Sequence, residues 1–154
     1  MTTSTTLAQR QKAALTTLDF QAACWSFAAS PDIPNEGHDA RSRYVEEFWL
    51  PVLGPTCIVI LRHFADSLRH GGSFGVSLKE LPHLFGLGSG YGPNSLFGRS
   101  ITRLVAFEMA ELDGPSSVLV KTVVPWLTSS QVARLHPWLQ IRHRYWTKNF
   151  RHSQ

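Results

Sequence analysis

An Asp-Gly pair between two extended segments places the tightest restriction on what this chain can fold into. The segments are "FEMAELD" and "SSVLVKTVV", joined through "DGPS" at residues 113–116. Asp-Gly tolerates the positive backbone dihedrals of a tight turn, and the second segment is rich in β-branched residues that suit a pleated surface. A β-hairpin is expected there. The segments around it read as helical, so the expected fold class is mostly α with a small β-hairpin.

Helical periodicity begins at Pro55, a residue suited to the first turn of a helix because its missing N–H would have no partner there. Ile58, Leu61, Phe64, Ala65 and Leu68 then recur at helical spacing, and Gly71-Gly72 should end the element. A short extended piece, "FGVSL", follows. Ser77 and Glu80 stand at capping-box spacing, which predicts a short helix carrying Leu78, Leu81, Leu84 and Phe85, distorted by Pro82 and closed by Gly86. Asn94 is expected to cap a longer helix whose apolar face is Phe97, Ile101, Leu104 and Val105. On that helix Ser95, Arg99, Thr102, Arg103 and Ala106 share an arc about 100° wide on the opposite side. Glu108 falls in the middle of the apolar face, so either the helix frays before it or its carboxylate has a partner.

Between these two helices lies "GLGSGYG", with glycines at positions 86, 88, 90 and 92. A dinucleotide fingerprint needs G-x-G-x-x-G after a strand, and a Walker loop needs a Gly-Lys pair that this chain lacks. The spacing excludes both phosphate loops and leaves a turn between helices.

Towards the N-terminus, residues 7–27 read as helical and residues 30–43, rich in proline, glycine and charge, as a linker. Towards the C-terminus, Thr128 and Gln131 repeat the capping-box spacing. After His136-Pro137 a helix is expected to carry Trp138, Ile141, Tyr145, Trp146 and Phe150 among Arg142, Arg144, Lys148 and Arg151. Three regions result: a helical segment and linker at 1–43, a central domain at 44–127, and a basic, aromatic helical extension at 128–154.

The charge balance is basic, with a formal net charge of +4 and a pI near 9.4, although charged residues make up only 17% of the chain. This permits an anionic partner without requiring one. Cys24 and Cys57 show no ligand or redox spacing, the N-terminus has no signal-peptide core, and the apolar run "LPVLGPTCIVIL" is short and interrupted by two prolines. A reduced, cytoplasmic chain without a membrane partner is expected.

The order helix, short strand, helix, turn, helix, hairpin resembles the winged helix-turn-helix domain. The resemblance covers roughly residues 45–127 and is carried by "SLKELPHLFGLG", "NSLFGRSITRLVAF" and "ELDGPSSVLVKTVV". The chain is similar in this to uncharacterised actinobacterial or phage-borne winged-helix proteins. The resemblance implies a DNA-binding regulator of transcription that places the helix from Asn94 in the major groove. Arg99 and Arg103 would then meet base edges or phosphates, with Ser95, Ser100 and Thr102 beside them, and Lys121 in the wing would meet phosphate. The chain departs from the family pattern in its long glycine-rich turn and in a wing made acidic by Glu108, Glu111 and Asp113.

The cluster "RHRYW" suits phosphate contact and base stacking through Arg142, Arg144 and Lys148, and equally suits a helix that packs its aromatics and leaves its cations in water. Phe48, Trp49 and Leu50 read as core or as a homodimer contact. Because fold does not dictate function, a non-enzymatic protein-interaction adaptor on the same scaffold is the alternative reading, with a partner bound through the N-terminal segment or the aromatic clusters. No nucleophile motif or placed carboxylate pair is visible. The seven histidines, His63, His70 and His83 among them, form no metal-binding spacing. Neither catalysis, metal nor cofactor is expected.

Overall fold

The structure, a computed structural model, describes residues 5–152, with the side chains of residues 150–152 outside the description. The expected places of Phe150 and Arg151 on the last helix therefore lie outside the described side chains. The described residues form seven α-helices and a small mixed sheet.

Helix α1 (Leu7–Thr17) opens with a reciprocal cap in which the Thr6 hydroxyl accepts the Gln9 amide at 3.1 Å and the Gln9 side chain accepts the Thr6 amide at 2.9 Å. Two N–H groups that a helix start leaves unpaired are satisfied in this way. The helix does not continue to residue 27 as its composition suggests. Residues Cys24–Ala29 instead form strand β1, with Trp25 and Phe27 fully buried and Cys24 and Ser26 exposed. That alternation has the two-residue period of a strand, and it overrides the helix propensity of the alanines around it.

Strand β1 is one of the two inner strands of the sheet. It pairs antiparallel with β3 (Ser73–Ser77), where Trp25 faces Val76, and parallel with β5 (Ser117–Val120), where Phe27 faces Val118. Strand β4 (Ala110–Leu112) pairs antiparallel with β5 across the Asp-Gly turn, giving the order β3-β1-β5-β4. The expected hairpin is present, but it is half of a four-stranded sheet rather than the whole of the β structure. A separate two-residue ladder joins β2 (His38–Asp39) to β6 (Val123–Val124).

A π-helical turn (Val45–Trp49) runs into α2 (Leu50–Leu53) and, through Gly54, into α3 (Pro55–Ser67), which buries Ile58, Ile60, Leu61 and Phe64 against the sheet. Phe48 and Trp49 are buried, and the Trp49 indole donates to the Pro125 carbonyl at 3.0 Å. This pair is core, not a homodimer surface. Phe27 stacks on Phe64 at 4.3 Å and on Phe74 at 5.6 Å, joining sheet and helix in one aromatic cluster.

Helix α4 (Leu81–Leu84) is a single turn without a side-chain cap, since Ser77 is the last residue of β3 and offers its backbone carbonyl to the Glu80 amide instead. Helix α5 (Leu96–Ala106) starts one residue later than expected, with Ser95 rather than Asn94 as the cap. It ends before Glu108, which adopts φ 64° and turns its carboxylate outward to Arg10 at 3.6 Å. The misplaced charge is thus resolved by an early helix end and a partner together. In the glycine turn only Gly86 and Gly88 need positive φ, at 67° and 80°.

Helix α6 (Ser129–Ala133) carries the expected capping box of Thr128 and Gln131, and α7 (Pro137–His152) follows. Leu139, His143 and Trp146 on α7 face the core. The Tyr44 hydroxyl accepts the Leu127 amide at 2.9 Å and bonds His143 Nε2 at 2.7 Å, while the His38 ring stacks on Tyr44 at 3.8 Å. Burial holds His38 well down, to about 4, with His143 adding to the shift, and burial also lowers His143. Both imidazoles are neutral in the fold and gain protons more readily when unfolded. The contribution of His38 is therefore complete above the unfolded value of about 6.5 and is lost as pH falls from there towards 4, and that of His143 is lost in the same direction. Urea titrations at pH 7.5 and pH 4.5 should show the acid sample less stable by about 2 kcal/mol. Tyr44→Phe should cost ~1–3 kcal/mol at pH 7.5, because it strands the buried Leu127 amide and His143 nitrogen. Equal urea midpoints for variant and parent would contradict this anchoring of α7.

Candidate nucleic-acid interface

The residues expected to meet DNA divide by their position around α5. Ser95 is consumed by capping: its hydroxyl accepts the Gly98 amide at 3.0 Å and donates to the Gly92 carbonyl at 2.6 Å. Ser100 is buried and donates back to the Leu96 carbonyl at 2.7 Å. Thr102 has no exposed surface; its hydroxyl bonds the Gly98 carbonyl at 3.0 Å and accepts the Gln11 side chain of α1 at 3.2 Å. All three hydroxyls, expected to face DNA, are engaged within the protein: Ser95 and Ser100 by the backbone of their own helix start, and Thr102 by its own helix and by α1, which lies along that flank. Arg10 of α1 fastens the far end by donating to the Ala106 carbonyl at 3.3 Å.

Arg99 and Arg103 remain on the outward ridge. Arg99 is exposed. Arg103 is half-buried and fixed, with Nε donating to the Leu53 carbonyl at 3.0 Å, Nη2 donating to the Val52 carbonyl at 2.8 Å, and its guanidinium 4.9 Å from the centre of the Phe107 ring. Two of its five N–H groups are used, by carbonyls at the end of α2, and the remaining charge is directed at the surface.

Two adjoining depressions follow this ridge. One, of about 690 Å³, lies between α1, α2, the end of α5 and the start of α6, and is lined by Arg10, Gln11, Arg103 and Arg134. The other, of about 350 Å³, shares Gln11 and Arg103 and is bordered by Arg99 and residues 53–57. Glu108 is the one carboxylate lining either. Arg10 and Arg134, which sequence reasoning passed over, belong to this surface. No local signal marks them, since their approach to α5 depends on how separate elements pack.

Helix α1 packs along one flank of α5, joined to it by the Gln11–Thr102 and Arg10–Ala106 hydrogen bonds. What α5 and its neighbours offer is a strip of arginines able to run along phosphates.

The other expected contacts are scattered. Lys121 keeps only 12% of its side chain exposed and lies 4.0 Å from Asp32. Arg142 pairs with Glu47 and covers the Trp138 ring at 5.0 Å. Arg144 and Lys148 are exposed on α7, away from the turned-in face. Cys57 donates to the Ser100 carbonyl at 3.4 Å, and burial pushes its thiol up to about 11, so it carries no thiolate at neutral pH. Among the described residues, no group of three or more His, Cys, Asp or Glu side chains is placed to hold a metal, and no helix is long and apolar enough to cross a membrane. No family model, curated protein or solved structure matches the chain.

Proposed function

We propose that this protein binds DNA without catalysing a reaction, and that it regulates transcription by occupying its site. It would meet the phosphate backbone through the arginine strip, with α5 the helix that the winged-helix resemblance would place in the major groove. The observation that carries this reading is the convergence of Arg10, Arg99, Arg103 and Arg134 on one surface with a single carboxylate between them. Phosphate neutralisation supplies most sequence-independent affinity, and a guanidinium suits it because its fork of donors fits two oxygens at once. The succession α3, β3, α4, α5, β4, β5 supports the winged-helix resemblance, although β1 sits between β3 and β5 in the sheet.

Arg99→Ala with Arg134→Ala is the informative variant, since neither side chain serves as an anchor of the fold in the way that Arg103 does. At 100 mM salt its affinity for a fluorescein-labelled random duplex should fall about 10-fold or more by anisotropy. Affinity equal to the parent's would contradict the assignment. The adaptor reading keeps a place on a different observation, the apolar side chains exposed along α7.

A further inference from the structure

Among the described residues helix α7 is packed on one side only, and its other side has a definite chemistry. Leu139, His143 and Trp146 hold it to the core. Trp138, Ile141 and Tyr145 stand outward with 59%, 53% and 65% of their surface exposed. Their spacings of three and four residues place them in one stripe, about 60° wide around the helix. Arg144 and Lys148 border the stripe on one edge and are exposed. Arg142 borders it on the other, lying over Trp138 while it pairs with Glu47. The sequence from Pro137 to His152 contains no Asp or Glu.

We infer that this stripe is a docking surface for an amphipathic helix of a protein partner, one with apolar residues at helical spacing and acidic residues beside them. Charge selects this occupant. A second copy of α7 would set Arg144 and Lys148 against cations like themselves, which costs free energy at an interface. A lipid surface would need a broad apolar face, and the broad face of α7 is already used against the core. Nucleic acid would use the cations but has no role for the aliphatic side chain of Ile141, which lies in the stripe beside Lys148. An acidic amphipathic helix uses every part: its apolar residues cover Trp138, Ile141 and Tyr145, and its carboxylates meet Arg144 and Lys148. Exposed Trp and Tyr are also the side chains most often found to dominate binding energy. The surface is distinct from the arginine strip, so this inference does not rest on DNA binding.

The test uses the full chain and a labelled 18-residue helical peptide with Leu at positions i, i+3 and i+7 flanked by Glu, together with a Gln-for-Glu counterpart. The expected result is binding of the Glu peptide at least 10-fold tighter than the Gln peptide. Trp138→Ala with Tyr145→Ala should abolish it while leaving the melting temperature and duplex affinity unchanged. Arg144→Glu with Lys148→Glu should lose the Glu peptide and gain a Lys-flanked one. Indifference to peptide charge, or survival of binding in the Trp138/Tyr145 variant, would overturn the proposal. So would failure of both peptides beside stripe-dependent binding to phosphatidylserine vesicles or duplex DNA.

Discussion

A chain beginning at Tyr44 is expected to have no cooperative fold. The sequence alone marks residues 30–43 as a linker and so suggests a separable domain beyond it. In the structure, the residues before Tyr44 supply an inner strand of the sheet, β1, which joins β3 to β5. Removing β1 leaves β3 and β5 without their shared partner and uncovers Phe64, Phe74 and Phe97, the rings that Phe27 and Trp25 touch. Truncating one buried Phe or Trp to Ala costs ~3–5 kcal/mol, and a whole domain holds only about 5–15 kcal/mol in reserve. Losing both rings, the strand ladder and α1 exceeds that reserve. Circular dichroism of the truncated chain should show no sigmoidal melt, and Phe27→Ala in the full chain should remain folded but lose ~3–5 kcal/mol in urea. A cooperative melt of the truncated chain would show that the strand is an appendage.

The second large effect is expected at Gly98. In an open helix, Gly→Ala stabilises by about 1 kcal/mol because it restricts the unfolded chain. Gly98 is different: a Cβ there would lie 2.2 Å from the Gly92 carbonyl oxygen and 3.0 Å from that of Pro93. Both obstacles are backbone, in the loop that Ser95 ties to the helix start. Gly98→Ala should therefore destabilise by ~2–3 kcal/mol, and Gly98→Val by more, through displacement of residues 92–95. The sign is decisive. A gain in stability for Gly98→Ala would mean that the loop does not cross the helix this closely.

These two sites mark where sequence reasoning stops. The hairpin, the Pro55 helix, the Thr128 cap and the helix from residue 96 were legible because each is written locally, in a turn pair, a proline, a cap or a 3.6-residue period. Strand β1 was not, because its alternation lasts for only Trp25 and Phe27 and its alanines fit a helix equally well. Ser77 and Glu80 had the right spacing for a cap, yet pairing of Ser77 with Cys24 in the sheet took precedence. The outward arc of α5 was half legible. Periodicity separated Arg99 and Arg103 from the core face, but it treats everything off that face as solvent. It gave no sign that α1 would cover Thr102, or that Ser100 would turn back to its own helix. Arg10 and Arg134 reach the same surface from positions far apart in sequence, a juxtaposition that only packing creates.

An arginine strip that neutralises phosphates must release counterions on binding, so duplex affinity should depend on salt. Anisotropy of a random-sequence duplex would be followed from 50 to 300 mM salt, for the parent chain and for the Arg99→Ala/Arg134→Ala variant. The parent should lose affinity steeply as salt rises, and the variant's slope should be shallower by about 2, roughly one for each phosphate contact removed. No binding by the parent at 50 mM salt, or equal slopes for the two proteins, would contradict phosphate neutralisation by the strip.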